Sequence, residues 1–475
     1  MTTDVDAVVV GSGPNGLVAA ITLAEAGWRV LVLEAADQYG GGMRTEELTL
    51  PGFWHDVCST AHPLAVASPA FRQLGLEREG LQLAHPHVPL GHPLEPGRSV
   101  YLRHDVNETI AQLGRDAQAW DRTVGALGRR WQRLSDGVLE PLAIPPRSPL
   151  TTGAFGAVGI WPTTWFARAA FREDDTRALF AGLAAHATLD LSEALTTAVG
   201  LLLGGLAHGV GWPVAVGGSK SIADALVRRL ESLGGEVRTG HHVTSMADLP
   251  AARAVLFDLT PRQVLRIAGE RFPARYRRRL AAWRYGSGVF KVDWALDGPV
   301  PWLDEELAGA GTVHLGASFD EMVVAEREVA RGRIAEHPYV LLAQASAADP
   351  SRAPEGKHTL WAYCHVPHGS NVDMTDAIER QIERFAPAFR ERVLARHVMG
   401  PAALEAHNDN NIGGDIAGGV SDWRQMAARP TLSLKPWATP DPTIFLCSSS
   451  TPPGGGVHGM CGRNAAQAVL SQLRP

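Results

Sequence analysis

The stretch Val8–Glu34, VVVGSGPNGLVAAITLAEAGWRVLVLE, constrains the fold more than any other part of the chain. Val8, Val9 and Val10 form a β-branched apolar run, the composition of a buried parallel strand. Gly11, Gly13 and Gly16 follow at once with G-x-G-x-x-G spacing, and Ser12, Pro14 and Asn15 fill the turn. The first glycine permits a tight turn, the second lets backbone approach a pyrophosphate, and the third lets a helix pack close to the sheet. Pro14 suits the first helical position, where no donor is lost. Leu17–Ala26 has helix-forming composition, Gly27 stops it, and Arg29–Leu33 reads as a second strand. Glu34 and Ala35 stand at the carboxyl end of that strand, where a carboxylate can accept ribose hydroxyls. Phosphates would sit on the unpaired N–H groups at the positive end of the helix. Strand, helix and acid fall in register, so dinucleotide binding is the expectation, although such a motif serves FAD and NAD alike.

The 475 residues suffice for two or three domains with a sizeable core. The net charge of −6, without a block of Lys or Arg, argues against nucleic acid as a partner. Four scattered cysteines, with no C-x-x-C pair, indicate neither a disulfide framework nor a zinc site, and no other metal-ligand spacing is present. The acidic start (Asp4, Asp6) runs directly into the first strand, so no secretory signal is expected. The apolar run Thr197–Ala207 is too short to span a bilayer and reads as a buried helix. The expected location is cytoplasmic; peripheral membrane association and oligomer formation are left open.

Further along, Gly40-Gly41-Gly42-Met43-Arg44-Thr45 offers a second glycine-rich segment for the same pyrophosphate, or a plain flexible loop. Val106–Ala143 reads as helices, Pro145, Pro146 and Pro149 as a break, and Gly153–Trp165 as a loop able to line a ligand site. Asp175–Gly205, with His186, is apolar and reads as core or pocket wall. Ser219 is a candidate N-cap for a helix ending at Gly234-Gly235, followed by a strand over Glu236–Val243. In Gly286–Leu296, Phe290, Val292, Trp294 and Leu296 share one face and Val289, Lys291 and Asp293 the other. There Lys291 can simply pair with Asp293. Thr375–Val393 reads as an amphipathic helix with a solvated charged face. Thr443–Cys447 is a strand leading through Pro452-Pro453-Gly454-Gly455-Gly456 to Val457-His458-Gly459-Met460 and a helix that runs to Leu473. A glycine-rich loop opening a helix can present bare N–H groups to an anionic ring.

With these motifs in view, the sequence resembles the FAD-dependent phytoene desaturase and amine oxidase superfamily. The first glycine motif, the GG-x-R-like segment at Gly41–Arg44, the N…GG…Q…RP segment (Asn408–Gly419, Gln425, Arg429, Pro430) and PPGGGVHG at 452–459 carry the likeness. It is nearest to bacterial phytoene-dehydrogenase-related NAD(P)/FAD-dependent oxidoreductases of the pyridine nucleotide-disulfide oxidoreductase-domain type. One departure stands out: Met43 follows Gly41-Gly42 where many members have Arg, and Arg44 comes one place later.

The resemblance implies an α/β fold: a discontinuous Rossmann-like FAD-binding domain (1–70, 209–270, 431–475) and a substrate domain (71–208, 271–430) with a mixed sheet and a helical layer. FAD is the implied cofactor. Gly11, Ser12, Gly13, Pro14, Asn15, Gly16, Glu34, Ala35, Gly41, Gly42, Met43 and Arg44 would hold its diphosphate and adenosine. Val243 would lie near the adenine, and Gly456, Val457, His458, Gly459 and Met460 near the flavin. Lys291 matches a strand lysine that holds a water beside flavin N5 in amine oxidases, which makes it the catalytic candidate. The implied activity is hydride removal from a small, largely apolar organic substrate. An amine oxidase, a non-redox flavin-dependent isomerase and a non-catalytic flavin-bound interaction protein are the alternatives.

Overall fold

The computed structural model describes residues 5–141 and 148–473. The expected break at Pro145-Pro146 lies outside the described residues. The strands of the two principal sheets are β1 (Ala7–Val10), β2 (Val30–Leu33), β3 (Val88–Glu95), β4 (Arg98–Leu102), β5 (Glu236–Arg238), β6 (Ala254–Phe257), β7 (Gly288–Leu296), β8 (Ala310–Leu315), β9 (Val340–Ala343), β10 (His358–Val366), β11 (Val393–Met399) and β12 (Ile444–Leu446). The helices that position the site are α1 (Pro14–Glu25), α2 (Trp131–Leu139), α3 (Pro149–Gly159), α4 (Asp174–Ala185), α5 (Thr196–Val210), α6 (Lys220–Ser232), α7 (Pro261–Ala268), α8 (Phe319–Ala330), α9 (Thr375–Glu383), α10 (Trp423–Ala427) and α11 (Met460–Gln472).

The first sheet has the order β12-β6-β1-β2-β5, and every pairing in it is parallel. Apart from the exposed edge strand β5, its strands are short and apolar because helices cover both faces. Leu17, Ile21, Ala465 and Val469 pack on one side, Val264, Ile267 and Leu280 on the other. The second sheet has the order β11-β7-β10-β9-β8-β3-β4 and is mixed, with β3 and β8 parallel and the other neighbours antiparallel. The alternation of β7 is realised as read: Phe290, Val292, Trp294 and Leu296 pack with Ile378 and Ile382 of α9, while Val289 joins the opposite core under α4 and α5.

Four local expectations give way. Gly153–Trp165 is mostly helix, not loop. Pro149 starts α3 at its first position, and Phe155 and Val158 pack against the core, which outweighs the poor helix propensity of Gly153 and Gly156. The strand after α6 ends at Arg238, because the chain turns at Gly240 and His241 N–H bonds the Glu34 carbonyl oxygen at 2.7 Å. The helix beginning at Thr375 stops at Glu383; Val393 onward becomes the edge strand β11. Ser219 does not cap α6; its hydroxyl meets the Ser59 carbonyl oxygen and His62 Nε2 instead. The apolar run at 197–207 lies in α5 and is largely buried, and no helix among the described residues is long and apolar enough to cross a membrane.

Candidate functional site

The first and last glycine-rich segments meet physically. Helices α1 and α11 pack so closely that a Cβ on Gly462 would lie 1.8 Å from the Asn15 carbonyl oxygen, and one on Gly459 would lie 2.4 Å from Val18. Gly459 is in the left-handed region (φ 65°) and turns the loop into the N-terminus of α11. Ser68 ties the junction from a third side, its hydroxyl donating to the His458 carbonyl oxygen at 2.5 Å.

Between these segments runs a cavity of about 880 Å³. One end is walled by Gly11–Asn15, Glu34–Ala36, Gly41, Gly42, Arg44, Val243, Asp258 and the 407–411 segment. The other end is walled by Leu139, Phe155, Leu189, Val199, Leu202, Leu203, Trp212, Ile416 and Met426, with His186 and Tyr363. Gly454–His458 also line it. Among the described residues, the acids of the wall are Glu34, Asp258 and Asp409, and none of them belongs to the apolar group.

At the polar end, Glu34 is organised by backbone. Its carboxylate accepts the Ser12 N–H (2.9 Å), the Ser12 hydroxyl (2.5 Å) and the Ala36 N–H (2.9 Å). Ser12 in turn accepts the Gly40 N–H at 3.1 Å, which draws the second glycine segment onto the first. A Cβ on Gly16 would lie 2.1 Å from the Gly11 carbonyl oxygen, and one on Gly41 would lie 3.0 Å from Gly13 Cα, so side chains are excluded at both approaches. Arg44 is buried; its guanidinium donates to the carbonyl oxygens of Gly41 (3.2 Å) and His407 (2.6 Å). Burial lowers its pKa, opposed by the fields of Glu46 and Glu34. An arginine one place later than the usual spacing thus still reaches the cavity wall.

Other expected residues lie behind the wall. Met43 is core. Gly16 and Gly459 serve packing and hydrogen bonding. Met460 is buried, and its N–H, expected to face a flavin, is taken by His458 Nδ1 at 3.1 Å. His458 Nε2 lies 3.2 Å from the Gly454 carbonyl oxygen, which assigns the proton to Nε2; burial pulls its pKa down to about 4. Cys461 is buried and its thiol is pushed up to about 11, first by burial. Lys291, expected to face the cavity, is not among the lining residues. It is 2% exposed, its ammonium is bonded to Asp293, and it lies over the Trp361 ring at 5.2 Å. Its positive field nevertheless reaches two wall residues, Cys58 and His407.

Several wall residues had little sequence signal. Asp258 follows β6 at the carboxyl end of the parallel sheet, a position where such sheets bind ligands. Cys58 and His62 sit in unremarkable contexts, whereas Tyr363, which the sequence lets face a pocket together with His365 and His368, does line the cavity. His186 was noted only for its apolar surroundings; its Nε2 lies 3.1 Å from His314 Nε2, and burial lowers its pKa to about 3. A buried network nearby ties the 45–60 segment to the start of α6 and to Arg352. The Asp56 carboxylate accepts the Thr45 and Thr60 hydroxyls, the Ser219 N–H and the Arg352 guanidinium, all within 2.8 Å.

Comparison with known proteins follows the same lines. Residues 9–74 match the model of the NAD(P)-binding Rossmann-like domain. Pyridine nucleotide-disulfide oxidoreductase domain-containing protein 2 of Rattus norvegicus is 26% identical, over 99% of this chain and 94% of the relative. The phytoene desaturase (neurosporene-forming) of Cereibacter sphaeroides is 23% identical, over 99% of this chain and 95% of its own. Among solved structures, putrescine oxidase bound to putrescine superposes with a TM-score of 0.62 at 18% identity, covering 98% of both chains. Cyclohexylamine oxidase from Brevibacterium oxydans gives 0.60 at 16%, covering 99% of this chain and all of that one. The chain is thus similar in sequence, along nearly its whole length, to a pyridine nucleotide-disulfide oxidoreductase domain-containing protein and to a phytoene desaturase, and it shares its fold with amine oxidases.

Proposed function

We propose that this chain is an FAD-dependent oxidoreductase that removes a hydride from a C–H bond of an uncharged, largely apolar organic substrate, leaving a C=C or C=N bond. One observation carries the reading: a single cavity is bounded by both glycine-rich ends of the chain and continues into an apolar chamber. The residues fit the cofactor. Gly11, Gly13, Gly41 and Gly42 put backbone on the wall where a diphosphate would lie, and Arg44 brings positive charge to the same wall. Glu34 stands at the end of β2 for the ribose, and Val243 offers an apolar surface for the adenine. Gly456, Val457 and His458 line the cavity just before the N-terminus of α11 and would hold the flavin there, near the positive end of that helix. FAD, when bound, supplies the hydride acceptor.

The chain's own residues do the rest. Leu202, Leu203, Val199 and Phe155 exclude water and orient an apolar substrate. His186, kept neutral by burial and bonded to His314 Nε2 at 3.1 Å, gives that wall a polar but uncharged point. Lys291 acts through its charge from behind the wall. The carboxylate-free chamber favours an uncharged substrate over a cationic amine.

The test is spectroscopic. Purified protein should be yellow and should bleach anaerobically with a member of a panel of polyenes, cyclic amino-acid derivatives and amines. Colourless protein that refuses FAD on titration overturns the proposal. Bleaching only by amines would move it to an amine oxidase, and turnover without net oxidation to an isomerase. Failure of every compound to bleach bound FAD would favour an interaction protein.

A further inference from the structure

Asp258 lies inside the glycine-rich turn that the cofactor reading assigns to the diphosphate. It follows β6, is 5% exposed, and lines the cavity. Its Oδ2 accepts the Gly16 N–H at 2.9 Å. The motif glycines close around this one side chain: a Cβ on Gly13 would lie 2.7 Å from Oδ2, one on Gly16 3.0 Å from Oδ2, and one on Gly11 3.1 Å from the Asp258 Cβ. Its backbone is fixed on both sides, the N–H donating to the Val10 carbonyl oxygen at 2.8 Å and the carbonyl accepting from the Asn410 side chain at 2.9 Å. With the backbone thus fixed, the Gly16 N–H holds the carboxyl within the turn. A fixed acid here is at odds with the usual logic of the motif, in which bare N–H groups receive an anion.

We propose that Asp258 is a further cofactor-binding residue, whose carboxyl meets the diphosphate as an uncharged acid and repels it as a carboxylate. FAD affinity then falls as pH rises. The proposal rests on the FAD reading above. Charged and titratable groups around the carboxyl fit it. Glu34, across the turn on β2, adds a negative field that opposes ionisation. Cys447 beside β12 and Cys461 on α11 are buried thiols held in the neutral form. The turn and the start of α1 contribute only backbone N–H groups, and the 408–411 segment contributes Asn410. Burial, the largest influence, raises the carboxyl well above the ordinary value of 3.8, and the Gly16 N–H only partly offsets it. The sign follows from linkage: a ligand that prefers the protonated form loses up to about tenfold in affinity per pH unit above the free-protein titration.

Fluorescence titration of apoprotein with FAD from pH 5 to pH 9 tests the idea. The wild type should show Kd rising by at least tenfold across that range. Asp258→Asn, which keeps shape and polarity without the charge, should vary less than twofold and should bind FAD more tightly than wild type at pH 9. A flat wild-type curve, or the same slope in both proteins, overturns the proposal. Should D258N fail to fold, calorimetry of the wild type in two buffers of different ionisation enthalpy reads the same quantity. Proton uptake on FAD binding at alkaline pH is the expected result, and none overturns it. Absence of FAD binding at every pH would instead defeat the cofactor reading itself.

Discussion

The two ends of the cavity are built on opposite principles. The polar end is largely backbone: glycines, N–H groups and carbonyl oxygens brought together by β1, β2, α1 and the second glycine segment. The apolar end is side chain: leucines, valines and aromatics contributed by α3, α5 and the loops around Trp212 and Ile416. The first fixes its ligand by shape that almost any substitution destroys, while the second can be recut residue by residue. The contrast predicts that cofactor binding is brittle and substrate choice is adjustable.

The largest effect is expected in the buried Asp56 network, which reaches wall residues Ser59 and His62 through Ser219. Asp56→Ala leaves Arg352 as an uncompensated buried cation and should cost about 3–5 kcal/mol, read as a lower urea midpoint. Burial alone would raise the Asp56 carboxyl, but Arg352 and the bonds from Ser219 and Thr45 outweigh it and hold the pKa below its ordinary 3.8. The stability it contributes is therefore fully present above that value and is lost as pH falls toward the folded-state pKa. D56A should show a correspondingly shallower acid limb. A wild-type midpoint in D56A would mean that this network adds nothing to the packing around it.

Next in size, Glu34→Ala should weaken FAD binding by about 1.5–3 kcal/mol through loss of charge-assisted bonds. An unchanged FAD Kd would remove Glu34 from the polar end. Gly462→Ala places a methyl against backbone of α1 and should cost about 1–3 kcal/mol, with weaker FAD binding because the turn at Gly11–Gly16 moves with α1. Stability loss with unaltered FAD Kd would show that the two termini of the site are mechanically independent. The smallest effect on cofactor belongs to Phe155→Ala: FAD Kd should stay within twofold, while the rates of flavin bleaching across the substrate panel reorder. A uniform change across the panel would make the apolar chamber as brittle as the polar one.

The same contrast explains what could be read from the chain. The polar end was legible because each of its needs calls for glycine, proline or an acid at a fixed spacing, as at Gly11–Gly16 and Glu34. Apolar helices carry no such signature: Leu202 and Leu203 line the cavity, whereas Leu206 on the same helix is core, and only tertiary packing separates them. Gly153–Trp165 misled because its glycines resemble a loop until Phe155 finds the core. Lys291 was correctly placed on a face with Asp293, but its distance from the cavity depends on how β7 sits beneath Trp361, which no pattern in β7 records. Asp258 escaped notice because its meaning depends on a turn 242 residues away.

The parallel sheet brings β12 beside β6, and α11 closes over α1. A ribosome must therefore deliver most of the chain before the nucleotide cradle can exist at all. Until then the β1–α1–β2 unit waits with one flank uncovered. Cofactor capture must for this reason wait until α11 has been made, and a nascent chain stalled before residue 444 would expose apolar surface that chaperones, rather than FAD, must protect.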